Sequence, residues 1–262
     1  MAHLGDPSRA PEPAAVVAGR LRAALEDSAV PGRAEAERAY LKSGLDHLGV
    51  PVPAMRALVR NTLRAAPGLD RAGVLELAEE LWAPPVHESR SCALLLLEYR
   101  AELLLPEDTA FLERLLRECA TWAHVDLLAS KVAGALLLRA PDTAADFLRW
   151  SRDEEQWVRR GGVLTYVLAL RDPGEFPHHF EEFTALADPL LTDPRFFVRK
   201  AVGWTLREGV KHHPAEVTGW LGRRLDRVSG LTLREAIRPV DEAAAGRLLA
   251  AHRELHGRRP RG

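Results

Sequence analysis

Apolar residues recur at three- and four-residue spacing along almost the whole chain. The runs "AAVVAGRLRAAL", "AMRALVRNTL", "VLELAEELW", "SCALLLLEYRAELL", "FLERLLREC" and "GRLLAAHREL" each gather them on one side of a helix. The period-two alternation of a half-buried strand is absent. Pro31-Gly32, Pro67-Gly68, Pro84-Pro85, Pro141-Asp142, Asp193-Pro194 and Pro214 punctuate the runs as helix stops, N-caps and first-turn prolines. The pattern predicts an all-α fold of about a dozen helices with short connections. Within it, "AERAYLKSGLDHL" reads as one amphipathic helix with Gly44 in its middle, ending at Leu48-Gly49, and "TWAHVDLLASKVAG" reads as another.

A repeat narrows the architecture. Trp157-Val158-Arg159-Arg160 returns 40 residues later as Phe197-Val198-Arg199-Lys200, each shortly after an acidic start, Asp153 and Asp193. Paired helices at that period predict a HEAT-like solenoid with a concave surface. Gly134, Gly161, Gly162 and Gly203 stand inside otherwise good helices, and Gly44 belongs with them. Each costs on the order of 1 kcal/mol relative to alanine, an expense offset by close approach of a neighbouring helix or of a ligand backbone.

Composition agrees with a folded chain: 47% of the 262 residues are apolar, enough to build a core. Residues 13–256 read as a single repeat domain, with a loose tail over 1–12 and a short basic tail over 257–262. Cys92 and Cys119 both lie in apolar helical runs, so neither a disulfide framework nor a cysteine-based zinc site is expected. With no signal peptide and no stretch long enough to span a bilayer, a cytoplasmic protein is expected. The net charge of −1 hides a gradient. From Arg195 to Gly262 there are 15 Lys and Arg against 7 Asp and Glu, and the preceding residues carry an acidic excess of 9. Such asymmetry fits a one-sided polyanion-binding surface, and equally a solvated basic face balanced by an acidic one.

The polar positions add candidate chemistry. Trp122 and Asp126 are four residues apart and so share a helix face, with Lys131 just beyond. Lys200, Trp204, Arg207 and Lys211 fall at i, i+4, i+7 and i+11, a single stripe that mixes a tryptophan with cations. Either tryptophan alone could be a structural brace. Arg159 and Arg160 stand near a helix start, where the dipole disfavours cations unless an anion is close. That anion is either internal, Asp126 or the acidic cap, or an external phosphate. The adjacent pairs His178-His179 and His212-His213 point to different faces, so no metal site is expected.

The segments "YLKSGLDHLGV", "TWAHVDLLAS", "WVRRGGVL" and above all "FFVRKAVGWTLREGVKHHP" resemble the AlkD-like DNA alkylation repair family, small HEAT-like-repeat DNA glycosylases. The resemblance runs in order from about Tyr40 to Pro214. It implies metal-independent, cofactor-free hydrolysis of the N-glycosidic bond of N3- or N7-alkylated purines in duplex DNA, by a monomer. By the same resemblance Asp126 is the catalytic carboxylate, Trp122 and Trp204 are paired cleft tryptophans, and Arg160 is a cleft arginine. Tyr40, Lys131, Arg159, Lys200, Arg207 and Lys211 then face the DNA. This chain has Ala123 where relatives often carry a second aromatic residue. Two other readings stay open: a HEAT-like protein that binds DNA structures without catalysis, and a protein-interaction scaffold.

Overall fold

The computed structural model describes residues 12–257. The segments 1–11 and 258–262, which hold most of the two expected tails, lie outside the described residues. All described regular structure is helical apart from one isolated bridge, Asp46 to Val86. No described helix is long and apolar enough to cross a membrane. The chain packs as two compact units divided between Leu104 and Leu105.

The first unit contains α1 (Ala14–Asp27), α2 (Pro31–Leu41), α3 (Val52–Ala65), α4 (Arg71–Trp82) and α5 (His87–Tyr99). Its core is the apolar faces read from the periodicity: Leu21 and Leu25 of α1, Met55 and Val59 of α3, Leu77 and Leu81 of α4, and Leu94 to Leu97 of α5. One expectation fails here. The helix predicted through Leu48 stops at Leu41, because Lys42 turns into the left-handed region with φ of 50°. Gly44 therefore lies in the following loop, with open space around its α-carbon rather than a packed neighbour. Gly49 has the packing role instead: at φ of +77°, a β-carbon there would sit 2.3 Å from the carbonyl oxygen of Val30.

The second unit contains α6 (Thr109–Arg117), α7 (Trp122–Leu127), α8 (Gly134–Arg139), α9 (Ala144–Trp150), α10 (Gln156–Leu164), α11 (Val167–Arg171) and α12 (Phe176–Ala187). It continues with α13 (Phe196–Val210), α14 (Pro214–Gly222), α15 (Gly230–Ala236) and α16 (Glu242–Gly257). The HEAT-like pairing is evident in its contacts: α10 packs on α9 and on α13, and α13 packs on α15. The close approach that the helical glycines imply comes from these neighbours. A β-carbon on Gly162 would meet the carbonyl oxygen of Phe147 at 2.6 Å, and one on Gly203 the carbonyl oxygen of Thr232 at 2.8 Å. Ion pairs repeat with the helices. Arg117 holds Asp153 at 2.6 Å, and Arg159 holds Asp193 at 2.6 Å, each arginine reaching the acidic start of a later helix.

The segment predicted as one helix from Trp122 to Gly134 is interrupted. Between α7 and α8 the backbone widens into a π-helical turn, Leu128–Ala133, which starts two residues after Asp126. Ser130 Oγ donates to the carbonyl oxygen of Asp126 at 2.6 Å, within the stretch where the ordinary ladder changes pitch.

Candidate active site

All the sequence-derived site residues except Tyr40 fall in the second unit, on α7, α10, α13 and the π turn, with Lys211 at the C-cap of α13. Tyr40 lies in the first unit near the end of α2 and is 73% exposed.

The centre of the site is a carboxylate and a guanidinium. Glu155 caps α10, its carboxylate accepting from the backbone N–H groups of Trp157 and Val158. That start places Arg160 on the second turn, where its side chain is buried to 3% exposure. Arg160 reaches α7, and its Nε and Nη2 each lie 2.8 Å from Asp126 Oδ1. Nη1 donates to the carbonyl oxygen of Phe197 at the head of α13, whose ring also lies under the guanidinium. One arginine thus ties three helices together at Asp126. Burial raises the pKa of Asp126 above the ordinary aspartate value, while Arg160 and then Lys200 oppose that rise.

Trp122 is the first residue of α7, one turn before Asp126, and is half-buried. Trp204 is also half-buried, one turn beyond the exposed Lys200 on α13. Its indole is held by its edge, with Nε1 donating to Glu208 Oε1 at 3.2 Å. Glu208 is almost fully buried and also accepts from Arg171 Nε at 2.9 Å and Lys211 Nζ at 2.5 Å. Burial pushes the Glu208 carboxyl up, but Lys211 and Arg171 outweigh it and hold its pKa below the ordinary glutamate value.

Several cations expected to face DNA have carboxylate partners inside the unit. Arg159 pairs with Asp193, Arg207 with Glu235, and Lys211 with Glu208. For Arg159 and Arg160 the anion that offsets the helix dipole is therefore internal. Lys200 is exposed, acts electrostatically on Asp126, and is the cation of the stripe nearest in role to the site. Lys131 is half-exposed within the π turn.

Two contributors escaped the sequence reading. Phe197 gives Arg160 both a carbonyl and a ring, and packs against Trp157 with ring centroids 5.1 Å apart. The repeat carried that signal, since Trp157 and Phe197 occupy equivalent positions. Glu208 positions Trp204, and its i, i+4 spacing from Trp204 was equally visible.

The DNA alkylation repair enzyme family matches residues 21–240 of the chain, which takes in both units and every residue of this site. The chain belongs to that family. Among solved structures, a predicted DNA alkylation repair enzyme from Enterococcus faecalis is similar at a TM-score of 0.71. That similarity covers 82% of this chain and 98% of the other, at 20% identity. AlkD2 from Streptococcus mutans gives a TM-score of 0.58 over 79% of this chain and 97% of its own, at 18% identity. The protein smu.31 from Streptococcus mutans gives 0.56 over 71% and 100%, also at 18% identity. At these identities the likeness is one of fold. No curated protein matches the chain at a significant level. Seen as a DNA alkylation repair protein, the chain places its partly buried carboxylate and Trp122 on α7 and Trp204 on α13.

Proposed function

We propose that this member of the DNA alkylation repair family is a monofunctional DNA glycosylase. It hydrolyses the N-glycosidic bond of N3- and N7-alkylated purines in duplex DNA and works as a monomer. The observation that carries the proposal is the Asp126 carboxylate, kept in place by Arg160 and Phe197 and flanked one turn away by Trp122.

Alkylation at N3 or N7 leaves the purine cationic, so the base departs with the bond electrons and becomes neutral. Neither a strong general acid nor a Lewis acid is needed to expel it. The remaining barrier is the positive charge developing on the deoxyribose. A fixed carboxylate in a partly desolvated site stabilises that charge, and it orients the water that adds to the sugar. Trp122 and Trp204 offer π faces to the same cationic sugar. Glu208, by fixing the Trp204 edge, is a positioning residue. Arg160 fixes Asp126 and adds positive charge to the site, which suits the phosphates beside the lesion.

Burial lifts the Asp126 pKa, and the proposed role needs the ionised form. Excision therefore declines as pH falls toward that pKa, and the decline starts at higher pH than for a solvent-exposed aspartate. Single-turnover release measured across acidic and neutral buffers, corrected for spontaneous depurination, gives the profile; an acid limb at the ordinary aspartate pKa would contradict the assignment.

Phosphate contacts fall first to Lys200 and Lys131, with Tyr40 on the first unit as a further DNA-facing residue. Arg159, Arg207 and Lys211 would have to leave internal carboxylates to join them. Lys200→Ala is expected to lower the slope of log K against log salt by about one, and Arg159→Ala to leave it unchanged. Binding titrations over a salt series measure both, and an unchanged slope for Lys200→Ala removes it from the interface.

The Asp126–Arg160 pair also supports a second reading, in which the carboxylate is purely structural and the protein binds DNA without excising a base. Release of 7-methylguanine and 3-methyladenine by the wild type, compared with Asp126→Asn, separates the two. A wild-type rate equal to spontaneous depurination favours the binder.

A further inference from the structure

Away from Asp126, within the first unit, three potential metal ligands meet that are far apart in sequence. Glu37 comes from α2, His47 from the loop that follows it, and His87 from the first position of α5. One ligand atom from each lies within 4.8 Å of the others. The imidazoles of His47 and His87 are stacked, with centroids 4.6 Å apart and planes 9° apart.

The surrounding backbone fixes this arrangement. Val30 N–H donates to the carbonyl oxygen of Leu48 at 2.8 Å, tying the loop to the start of α2. Asp46 N–H donates to the carbonyl of Pro85, and His87 N–H returns a bond to the carbonyl of Asp46 at 2.8 Å. The Glu88 carboxylate accepts from the N–H groups of Leu48 and Gly49, at 3.0 and 2.6 Å. The main chain around His47 and at His87 is therefore fixed by hydrogen bonds. Both ring nitrogens of His47 and Oε2 of Glu37 are buried without a hydrogen-bond partner. Buried polar atoms left in that state are costly, so their occurrence together points to a ligand that satisfies them. Arg33 reaches only the other oxygen of Glu37, at 3.5 Å.

We propose that Glu37, His47 and His87 bind a zinc ion that ties α2, the 42–50 loop and the start of α5 together. Two borderline imidazole nitrogens and a carboxylate oxygen form a donor set that zinc accepts, with water as a fourth ligand. Tetrahedral coordination brings donor atoms to about 3.3 Å from one another and aims each nitrogen along its own ring plane, so on binding the two imidazoles rotate out of their stacked arrangement. Glu88, beside both rings, adds the negative field that a divalent cation favours and holds the loop as a supporting contact. The ion's role is structural and stands apart from the excision proposed for Asp126.

The test uses the full-length protein stripped with chelator and then titrated with zinc chloride or cobalt chloride alone. Wild type is expected to take up one ion per chain. Cobalt should give the intense visible absorption of a low-coordinate site, and saturating zinc should raise the unfolding midpoint by about 5 °C or more. Glu37→Gln and His47→Ala should each lose the absorption and the zinc-dependent shift. Glu37→Gln, on a helix with exposed neighbours, keeps the test decisive if His47→Ala does not fold. Failure of the wild type to bind, or variants that bind as it does, would overturn the proposal and assign any bound metal to other histidines. Because the readout is metal uptake and unfolding, it stands whether or not the protein proves to be a glycosylase.

Discussion

Replacing Asp126 by asparagine is expected to slow release of 7-methylguanine and 3-methyladenine by about 10²–10³-fold, the usual effect of removing a preorganised charge from a transition state. Affinity for the alkylated duplex should be nearly retained, because DNA binding rests on phosphate contacts that the substitution does not touch. Asparagine has aspartate's shape and can still accept from one Arg160 nitrogen, so the geometry at α7 survives. The measurement is single-turnover release beside equilibrium binding, with unfolding midpoints recorded for both proteins. A variant that excises at the wild-type rate would make the carboxylate structural. Equal loss of excision and binding would say that the substitution disturbs the site as a whole.

Arg160→Met is expected to have the largest effect on stability. The guanidinium is buried, holds Asp126 through two nitrogens and reaches the Phe197 carbonyl through a third. Methionine keeps most of the side chain's bulk but leaves a buried carboxylate with only Lys200 acting on it. Breaking a buried pair from one side costs about 3–5 kcal/mol, the lower end applying here because Asp126 keeps some contact with solvent. Urea denaturation at neutral pH should show the loss, and excision should fall too, since the unpaired carboxyl titrates at still higher pH. The double variant Asp126→Leu with Arg160→Met, which leaves no buried charge, should recover part of the stability. Additive losses would mean that the two side chains are not coupled. Arg160→Lys is no conservative substitute, because a single ammonium cannot fill two edges at once.

These two residues show what was legible beforehand. The Trp122 and Asp126 spacing, the Phe197 repeat and the Lys200 stripe are local patterns, and helix geometry turns local spacing into shared faces without tertiary knowledge. The caps and apolar faces were readable for the same reason. The partners were not. Arg207 is paired with Glu235, 28 residues away, and Arg159 with Asp193, 34 residues away, so which cations were already spoken for depended on how repeats stack. The end of α2 was missed because Lys42 adopts a conformation that side chains avoid, which left nothing in composition to announce it. Glu37, His47 and His87 converge only once the loop is folded back on α5, and no spacing rule links them.

The π turn at Leu128–Ala133 has a consequence for how this chain tolerates insertion and deletion. A π turn holds one residue more than the α turn it replaces, so residues after it are rotated by about 100° relative to an uninterrupted helix. Asp126 before the turn and the core-facing Leu136 and Leu137 after it therefore belong to two different helical phases joined by one surplus residue. Removing Ala129 would restore an ordinary hydrogen-bond ladder, yet it would turn either the carboxylate away from Arg160 or the leucines out of the core. A helix interior that looks able to absorb a one-codon loss is in fact a counted spacer, where reading-frame-preserving deletions are excluded while longer changes in surface loops can drift.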